Sequence, residues 1–227
     1  MDSARFFRIR AGPALLLLAW VLLVSPVPPA HGQEYPETQA VLLEVHKGEL
    51  KALSSYQAYA RAALNENYPN IAYLFTALAA SEEIHARNMR DLLEELDVQV
   101  SEEIPSVKVS RTRKNLKQAA AVELREIDKL YPSYIKRIAP EEYPRAVAVL
   151  THSWKAEQQH REHIEKIKVT VDSFFKSVAK KIESAEVSYY ICEACGSTTG
   201  EATKDNCCIC GGPVAGISLV SRMEPLP

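Results

Sequence analysis

A glutamate followed three residues later by a histidine occurs twice on what reads as the apolar face of a helix. The pairs are Glu82 with His85 and Glu157 with His160. Apolar residues around both pairs recur at alternating steps of four and three, which places all four side chains on inward-facing positions. A buried carboxylate without a partner is costly, so these positions require protonation, an ion pair or a bound metal ion.

Each pair is preceded, at a nearly equal distance along the chain, by another glutamate on an inward face. Glu49 precedes the first pair, Glu123 precedes the second, and Glu126 shares the face of Glu123. No lysine or arginine occupies these faces near the acids, so a metal ion is the favoured partner. The repeat of a glutamate and then Glu-x-x-His over two helix pairs is the pattern of ferritin-like dimetal carboxylate bundles.

The donor atoms narrow the choice of metal. Carboxylates suit hard cations and imidazole suits borderline transition metals, so the mixture favours iron, with manganese as the alternative. Five carboxylates carry a charge of −5, so two divalent ions leave a net charge of −1 and two ferric ions leave +1. Both oxidation states stay close to neutral, which makes two-electron chemistry feasible. The five acids are Glu49, Glu82, Glu123, Glu126 and Glu157.

A second metal site is indicated by two Cys-x-x-Cys motifs near the C-terminus. Cys192 and Cys195 form the first, and Cys207 and Cys210 form the second. Four thiolates at this spacing are typical of a tetrahedral site that holds iron or zinc. Disulfides are the alternative in an exported protein. Cys208 is left as a spare thiol.

Composition divides the chain into three parts. Residues 36–185 contain four helical patterns, roughly at 37–64, 69–96, 114–138 and 141–180, and predict an all-α four-helix bundle whose middle connection is the long crossover. Residues 187–227 hold all the cysteines and predict a small metal-binding domain of rubredoxin-like or zinc-ribbon-like type.

The N-terminal residues 1–32 predict a cleaved signal peptide. Arg5, Arg8 and Arg10 precede the apolar run from Ala14 to Val24, and small residues precede a cleavage point before Gln33. The run is shorter than the about 20 residues that usually span a bilayer, so an uncleaved anchor is the weaker alternative. We expect export, to the periplasm, and no membrane association after cleavage. The mildly acidic mature chain gives no indication of nucleic-acid binding.

The sequence resembles the rubrerythrin family, in which a ferritin-like di-iron bundle precedes a rubredoxin-like iron site. The resemblance covers most of the mature chain. It rests on the segments GEL (48–50), EEIHA (82–86), NLKQAAAVELRE (115–126), LYPSY (130–134), AEQQH (156–160) and YICEACG (190–196).

The resemblance implies roles for particular residues. The inward glutamates and both histidines would be iron ligands, and Glu126 would exchange with a histidine at one iron as the redox state changes. Tyr56 and Tyr131 would hydrogen-bond ligand carboxylates, and a homodimer is expected. The cysteine segment departs from the family, because Cys208 stands where proline is usual and Ser197 replaces an aromatic residue.

Three classes of function follow. The favoured one is a non-haem di-iron oxidoreductase, a peroxidase that reduces hydrogen peroxide to water with electrons relayed from an unknown donor through a four-cysteine iron. The alternative is an iron-binding protein or ferroxidase that handles Fe(II) outside the cytoplasm and carries a structural zinc at the cysteines. The third, a module in which metals only hold the fold together, has more inward ligands than it needs.

Overall fold

The computed structural model describes residues 34–101, 103, 105–168, 175 and 179–224. The predicted signal peptide therefore lies outside the described residues. Among the described helices, none is both long enough and apolar enough to cross a membrane. From Tyr35 onward the chain forms one compact unit, and the boundary between bundle and cysteine domain near residue 186 stays a prediction.

Four helical segments form the bundle, which confirms the predicted fold class. The crossover of residues 96–111 connects the second helical segment to the third. The helices are α1 (Pro36–Asn65), α2 (Pro69–Glu95), α3 (Thr112–Arg125), α4 (Tyr131–Ile138) and α5 (Pro144–Lys168).

The third helical segment is not the single helix predicted over 114–138, because it consists of α3, a π-helical turn and α4. α3 and α4 are joined by a π-helical segment, Glu126–Leu130, in which the Tyr131 N–H bonds to the carbonyl of Glu126. Pro132 follows at once and has no N–H to continue the ordinary helical ladder, which explains why the wider turn is tolerated there. Such π-turns inside helices are frequent at functional sites.

Two apolar clusters hold the bundle together, one on each side of its polar centre. Leu53, Phe75 and Leu78 belong to one cluster, and Leu42 and Met89 belong to the other. Each fully buried side chain of this size contributes roughly 1.5–3 kcal/mol. The polar centre is therefore fixed between two well-packed layers rather than at a bundle end.

Carboxylates from distant parts of the chain cap the first two helices. Glu141 accepts hydrogen bonds from the backbone N–H groups of Glu37 and Thr38, at 2.8 and 2.7 Å. Glu183 does the same for the N-terminus of α2, where the Asn70 N–H lies 2.6 Å from its carboxylate. The caps satisfy otherwise unpaired N–H groups and complement the helix dipole.

The C-terminal segment folds into a three-stranded antiparallel sheet. Its strands are β1 (Tyr190–Cys192), β2 (Thr198–Thr199) and β3 (Ile217–Leu219), in the order β2-β1-β3. The tail after β3 returns to the bundle, where the Tyr73 hydroxyl donates to the carbonyl of Val220 at 2.7 Å. This hydrogen bond connects the end of β3 to α2.

Candidate metal centres

Six buried side chains form two overlapping groups of potential metal ligands at the centre of the bundle. Within each group the donor atoms lie within 4.8 Å of one another. Glu82 and Glu157 belong to both groups. The first group is Glu49, Glu82, His85 and Glu157, and the second is Glu82, Glu123, Glu157 and His160.

The two histidines face the shared carboxylates with the same ring nitrogen. His85 Nδ1 lies 3.0 Å from one oxygen of Glu82 and 3.0 Å from one oxygen of Glu157. His160 Nδ1 lies 3.0 Å from the other oxygen of Glu157 and 3.3 Å from the other oxygen of Glu82. Each shared carboxylate therefore presents one oxygen to each group, the arrangement of a carboxylate that bridges two cations.

The two predicted tyrosines each contact the outer carboxylate of one group. The Tyr56 hydroxyl donates a short hydrogen bond to Glu123. The Tyr131 hydroxyl donates a similar bond to Glu49. Both tyrosines are buried, so these bonds fix the orientation of the carboxylates in a low-dielectric interior.

The charges of the site show why it fits a metal pair. Burial raises the pKa of the Glu49 and Glu123 carboxyls well above the usual range, and neighbouring glutamates, including Glu82 and Glu157, raise it further. Burial alone would lower the pKa of His85, but Glu157 and Glu82 raise it to about 10. A buried oxygen of Glu123 has no hydrogen-bond partner. Protons thus neutralise the cluster without a cation, and a bound cation would do so directly.

Glu126 lies outside both groups. It is half-buried, begins the π-helical segment, and lines a cavity of about 700 Å³ that also reaches Tyr56. Burial, followed by the charges of Glu157 and Glu49, raises its pKa well above the usual range. Among the five inward acids, Glu126 is the one that lines this cavity.

The four predicted cysteines form a second cluster. The Sγ atoms of Cys192 and Cys210 are 3.7 Å apart, and those of Cys195 and Cys207 are 3.6 Å apart. A tetrahedral site with metal–sulfur bonds of about 2.3 Å separates its sulfurs by about 3.8 Å. A disulfide requires about 2.05 Å. All these cysteines are free, and so is the exposed Cys208.

Backbone N–H groups support thiolate charge in this cluster. Burial alone would raise the pKa of Cys207, but N–H groups of Cys210 and Ile209 lower it to about 7. Burial instead raises the pKa of Cys192 to about 11. A cation is needed to hold all four sulfurs as thiolates, which agrees with a metal site.

The cysteine cluster touches the carboxylate site through one glycine. Gly196 directly follows Cys195, has a positive φ of 75°, and approaches His85 so closely that a Cβ on it would lie 2.6 Å from His85 Nε2. The Ser81 hydroxyl donates to the carbonyl of Gly196 at 2.6 Å. The backbone next to one thiolate thus contacts a side chain of the first ligand group.

A glutamine of α5 holds the same loop. The Gln159 Oε1 accepts hydrogen bonds from the Ser197 hydroxyl and the Thr198 N–H, each at 3.0 Å. On α2, the Asn88 side chain donates to the carbonyl of Ala194 at 2.9 Å. Both helices that carry the paired Glu and His therefore also clamp the cysteine loop.

Comparison with protein families identifies the bundle. Residues 41–168 match the family described as Rubrerythrin. Rubrerythrin-2 of Clostridium acetobutylicum is 34% identical over 177 residues, covering 77% of this chain and 91% of that protein.

The chain belongs to the rubrerythrin family.

Other relatives agree with this placement. Nigerythrin of Nitratidesulfovibrio vulgaris is 29% identical over 170 residues, covering 73% of this chain and 78% of that protein. A structure of nigerythrin in a mixed-valence state matches with a TM-score of 0.68 and 26% identity over 94% of this chain and all of that chain. A bacterioferritin of Mycobacterium tuberculosis, at 18% identity, TM-score 0.61 and coverage of 67% and 98%, shares the ferritin-like fold.

The two clusters fit the cofactors of a rubrerythrin. The carboxylate site fits two irons, and the four-cysteine cluster fits one iron or zinc. This rubrerythrin-family protein is therefore a di-iron carboxylate protein with a four-thiolate site, and its relatives indicate an iron oxidoreductase.

Sequence reasoning missed the residues that join the two sites. Ser81 and Gln159 flank the ligand positions but read as ordinary polar residues. Ser197 departs from the family pattern, and its contact with Gln159 gives that departure a physical role. Gly196 follows a Cys-x-x-Cys motif, where a tight turn requires positive φ, but its contact with His85 has no sequence signal.

Proposed function

We propose that this protein is a non-haem iron peroxidase that reduces hydrogen peroxide to water. Electrons would reach the bundle site from an unknown donor through an iron at the four cysteines. The observation that carries this proposal is the contact of Gly196 with His85. A protein that only stores iron gains nothing from a thiolate centre held against one of its ligands.

The contact favours electron transfer within one chain. The route from the Cys195 sulfur to the His85 ring runs through covalent bonds to Gly196 and then across a single van der Waals contact. Electron transfer through protein weakens steeply with distance and with gaps, so this short route favours the cysteine site as the immediate donor.

The ligand roles belong to the same proposal. Glu82 and Glu157 would bridge two irons, because each presents one oxygen to each histidine. Glu49 with His85 would complete one position, and Glu123 with His160 the other. A bound iron pair supplies the two electrons that split the O–O bond of peroxide.

Proton delivery falls to the residues beside the metal positions. Burial, followed by the charges of Glu157 and Glu49, raises the pKa of Glu126, which favours the protonated form of its carboxyl. Glu126 also faces the cavity through which peroxide would arrive. We therefore assign it the delivery of a proton to the leaving oxygen, while Tyr56 and Tyr131 hold the outer carboxylates in place.

The experiment compares the wild type with Cys210→Ser after metal analysis of both. Each protein is reduced anaerobically and mixed rapidly with hydrogen peroxide while the visible absorption of the thiolate iron is followed. In the wild type, that absorption should return at a rate set by the peroxide concentration. Cys210→Ser should keep both bundle irons and complete the first oxidation, but its re-reduction should slow by about tenfold or more.

Two results would contradict the peroxidase proposal. One is zinc at the four cysteines of the natively produced protein, and the other is peroxide turnover that ignores Cys210→Ser. Either result, combined with steady oxidation and retention of added Fe(II), would favour the ferroxidase or iron-binding alternative.

We also propose that the chain is exported and acts as a homodimer. Export follows from the N-terminal charge and apolar run, and the dimer follows from the family resemblance. Mass spectrometry of the native periplasmic protein should find Gln33 as its first residue, and sedimentation should give twice the mass of the chain. A retained Met1 in a cytoplasmic fraction would contradict export.

A further inference from the structure

The cavity beside Glu126 is much larger than hydrogen peroxide requires. Its volume is about 700 Å³, and it lies between α1 and α3 under residues 106–110 of the crossover. Hydrogen peroxide is only somewhat larger than water, which occupies about 30 Å³ in the liquid. Cavities of roughly 300–1,000 Å³ hold ligands of many atoms.

Hydrogen bonds at both ends hold the cover in place. The Ser54 hydroxyl on α1 donates to the carbonyl of Pro105 at 3.1 Å. On α3, the Asn115 side chain accepts from the Ser110 N–H at 2.9 Å and donates to the Ser110 carbonyl at 2.8 Å. The space below is therefore a formed cavity with a fixed cover.

The inner end of the cavity borders the carboxylate site. Glu126 and Tyr56 line this end, and the Tyr56 hydroxyl bonds directly to Glu123 of the second ligand group. A reactive group lodged here would be separated from the ligand carboxylates by a single layer of side chains.

The outer end is basic, and the walls between the ends are partly apolar. Lys114 lies at the outer end, since it precedes Glu126 by more than three helical turns, or roughly 18 Å. Lys108 is two residues before Ser110, which is hydrogen-bonded to Asn115 beside Lys114. Tyr59, Ala119 and Val122 are among the wall residues. Among the lining residues that the structure describes, the one acid is Glu126 and the cations are Lys51, Lys108, Lys114 and Arg125, of which Arg125 is next to Glu126 in the chain.

We propose that the cavity binds long-chain organic hydroperoxides that carry a carboxylate. The carboxylate would pair with Lys108 and Lys114, the chain would lie along the apolar wall, and the hydroperoxide group would reach Glu126. Length, apolar wall and charge at the outer end all match such a molecule, whereas hydrogen peroxide uses none of them.

This assignment names a substrate class of the proposed peroxidase and rests on that function. The hydroperoxide ROOH accepts two electrons and two protons, its O–O bond breaks, and the products are the alcohol ROH and water. The reductant is the reduced iron pair, replenished by the same one-electron route through the cysteine site.

Binding is tested without turnover, by calorimetric titration with decanoate and with decan-1-ol. Decanoate should bind at least about tenfold more tightly than the alcohol, because only the acid pairs with the outer lysines. The double substitution Lys108→Gln with Lys114→Gln should bring the two affinities within about twofold. Lys47→Gln with Lys136→Gln removes the same charge from exposed positions outside the cavity and should leave the difference intact.

Turnover is tested with linoleic acid hydroperoxide, its methyl ester and hydrogen peroxide on the same iron-loaded samples. The acid should exceed the ester in kcat/KM by about tenfold, and that ratio should approach one in the Lys108 and Lys114 double variant. Hydrogen peroxide serves as the measure of the peroxidase function itself.

The outcomes separate the two proposals. Equal binding of decanoate and the alcohol, or an acid-to-ester ratio unchanged in the double variant, overturns the hydroperoxide site even where hydrogen peroxide is reduced. Lysine-dependent decanoate binding without reduction of any peroxide supports the carboxylate site and overturns the peroxidase function, and with it the substrate assignment.

Discussion

The Cα of Gly196 lies against the imidazole of His85, with no room for a methyl group between them. Gly211 occupies the corresponding turn after the second pair of cysteines, at a similar φ of 72°, but faces open space. The two glycines share one backbone conformation and differ in what they touch. This difference separates the effect of strain from the effect of contact.

Gly196→Ala should uncouple the two metal sites, whereas Gly211→Ala should not. Both substitutions place an alanine at positive φ, at a cost of roughly 1 kcal/mol. Only the first also pushes a methyl group into His85, which should displace the cysteine loop from the bundle. Rapid-mixing absorption should show re-reduction slowed by about tenfold in Gly196→Ala alone, with equal metal content in both. Equal kinetics in the two variants would refute this route.

Tyr56→Phe should weaken metal binding without unfolding the bundle. The substitution removes the donor to Glu123 and leaves a buried oxygen unsatisfied, and loss of such an outer partner typically reduces metal affinity or activity by about 10–100-fold. Tyr59→Phe is the matched control, because Tyr59 is buried next to Tyr56 and its ring packs against the Tyr56 ring. Competition with a chelator measures the affinity, and equal values in the two variants would argue against the role.

Metal loading of the bundle should release protons, and the apparent affinity should rise with pH. Burial and neighbouring acids raise the pKa of Glu49 and Glu123, and the glutamates raise the pKa of His85 to about 10. The raised pKa values favour the protonated forms of these groups, and a bound cation displaces the protons. Titration calorimetry in buffers of different ionisation enthalpy counts the protons released. Binding that is independent of pH between 6 and 8 would contradict this expectation.

Glu141→Gln should destabilise the bundle in a pH-dependent way. Burial alone would raise the pKa of Glu141, but hydrogen bonds from Thr38 and Glu37 lower it below its ordinary value of 4.5. A lowered pKa means that the stabilisation is present above that value and is lost as the pH falls through the lowered pKa.

Denaturant unfolding measures this effect. Near neutral pH, Glu141→Gln should reduce the free energy of unfolding by about 1 kcal/mol, as expected for loss of a helix cap. The difference from wild type should disappear in acid. Glu142→Gln, which alters the exposed neighbour, should show no such pH-dependent loss.

The sequence was sufficient for the bundle because periodicity reports which face of a helix is buried. Glu82 and His85 follow the apolar spacing of their own helix, so their inward position needs no tertiary information. The repeat then predicts that the two helix pairs contribute equivalent halves of the metal site. His85 and His160 agree with this, because each places its Nδ1 near one oxygen of Glu82 and one oxygen of Glu157.

The remaining features depend on contacts between distant segments. The π-helical turn at Glu126 reflects Pro132 and the packing of Trp154, whose indole N–H donates to the carbonyl of Ile127 at 2.9 Å. The caps by Glu141 and Glu183 join residues about a hundred positions apart. No local pattern predicts such pairings, because many exposed acids could serve equally well.

The sharing of Glu82 and Glu157 between the two ligand groups has a consequence for partly loaded protein. A cation bound in either group orients both shared carboxylates, which the second cation would otherwise have to orient. The second binding event therefore costs less than the first, so loading should be positively cooperative and singly loaded molecules should be scarce. The protein would pass from the metal-free state to the paired-metal state almost in a single step, with little lone, half-coordinated iron.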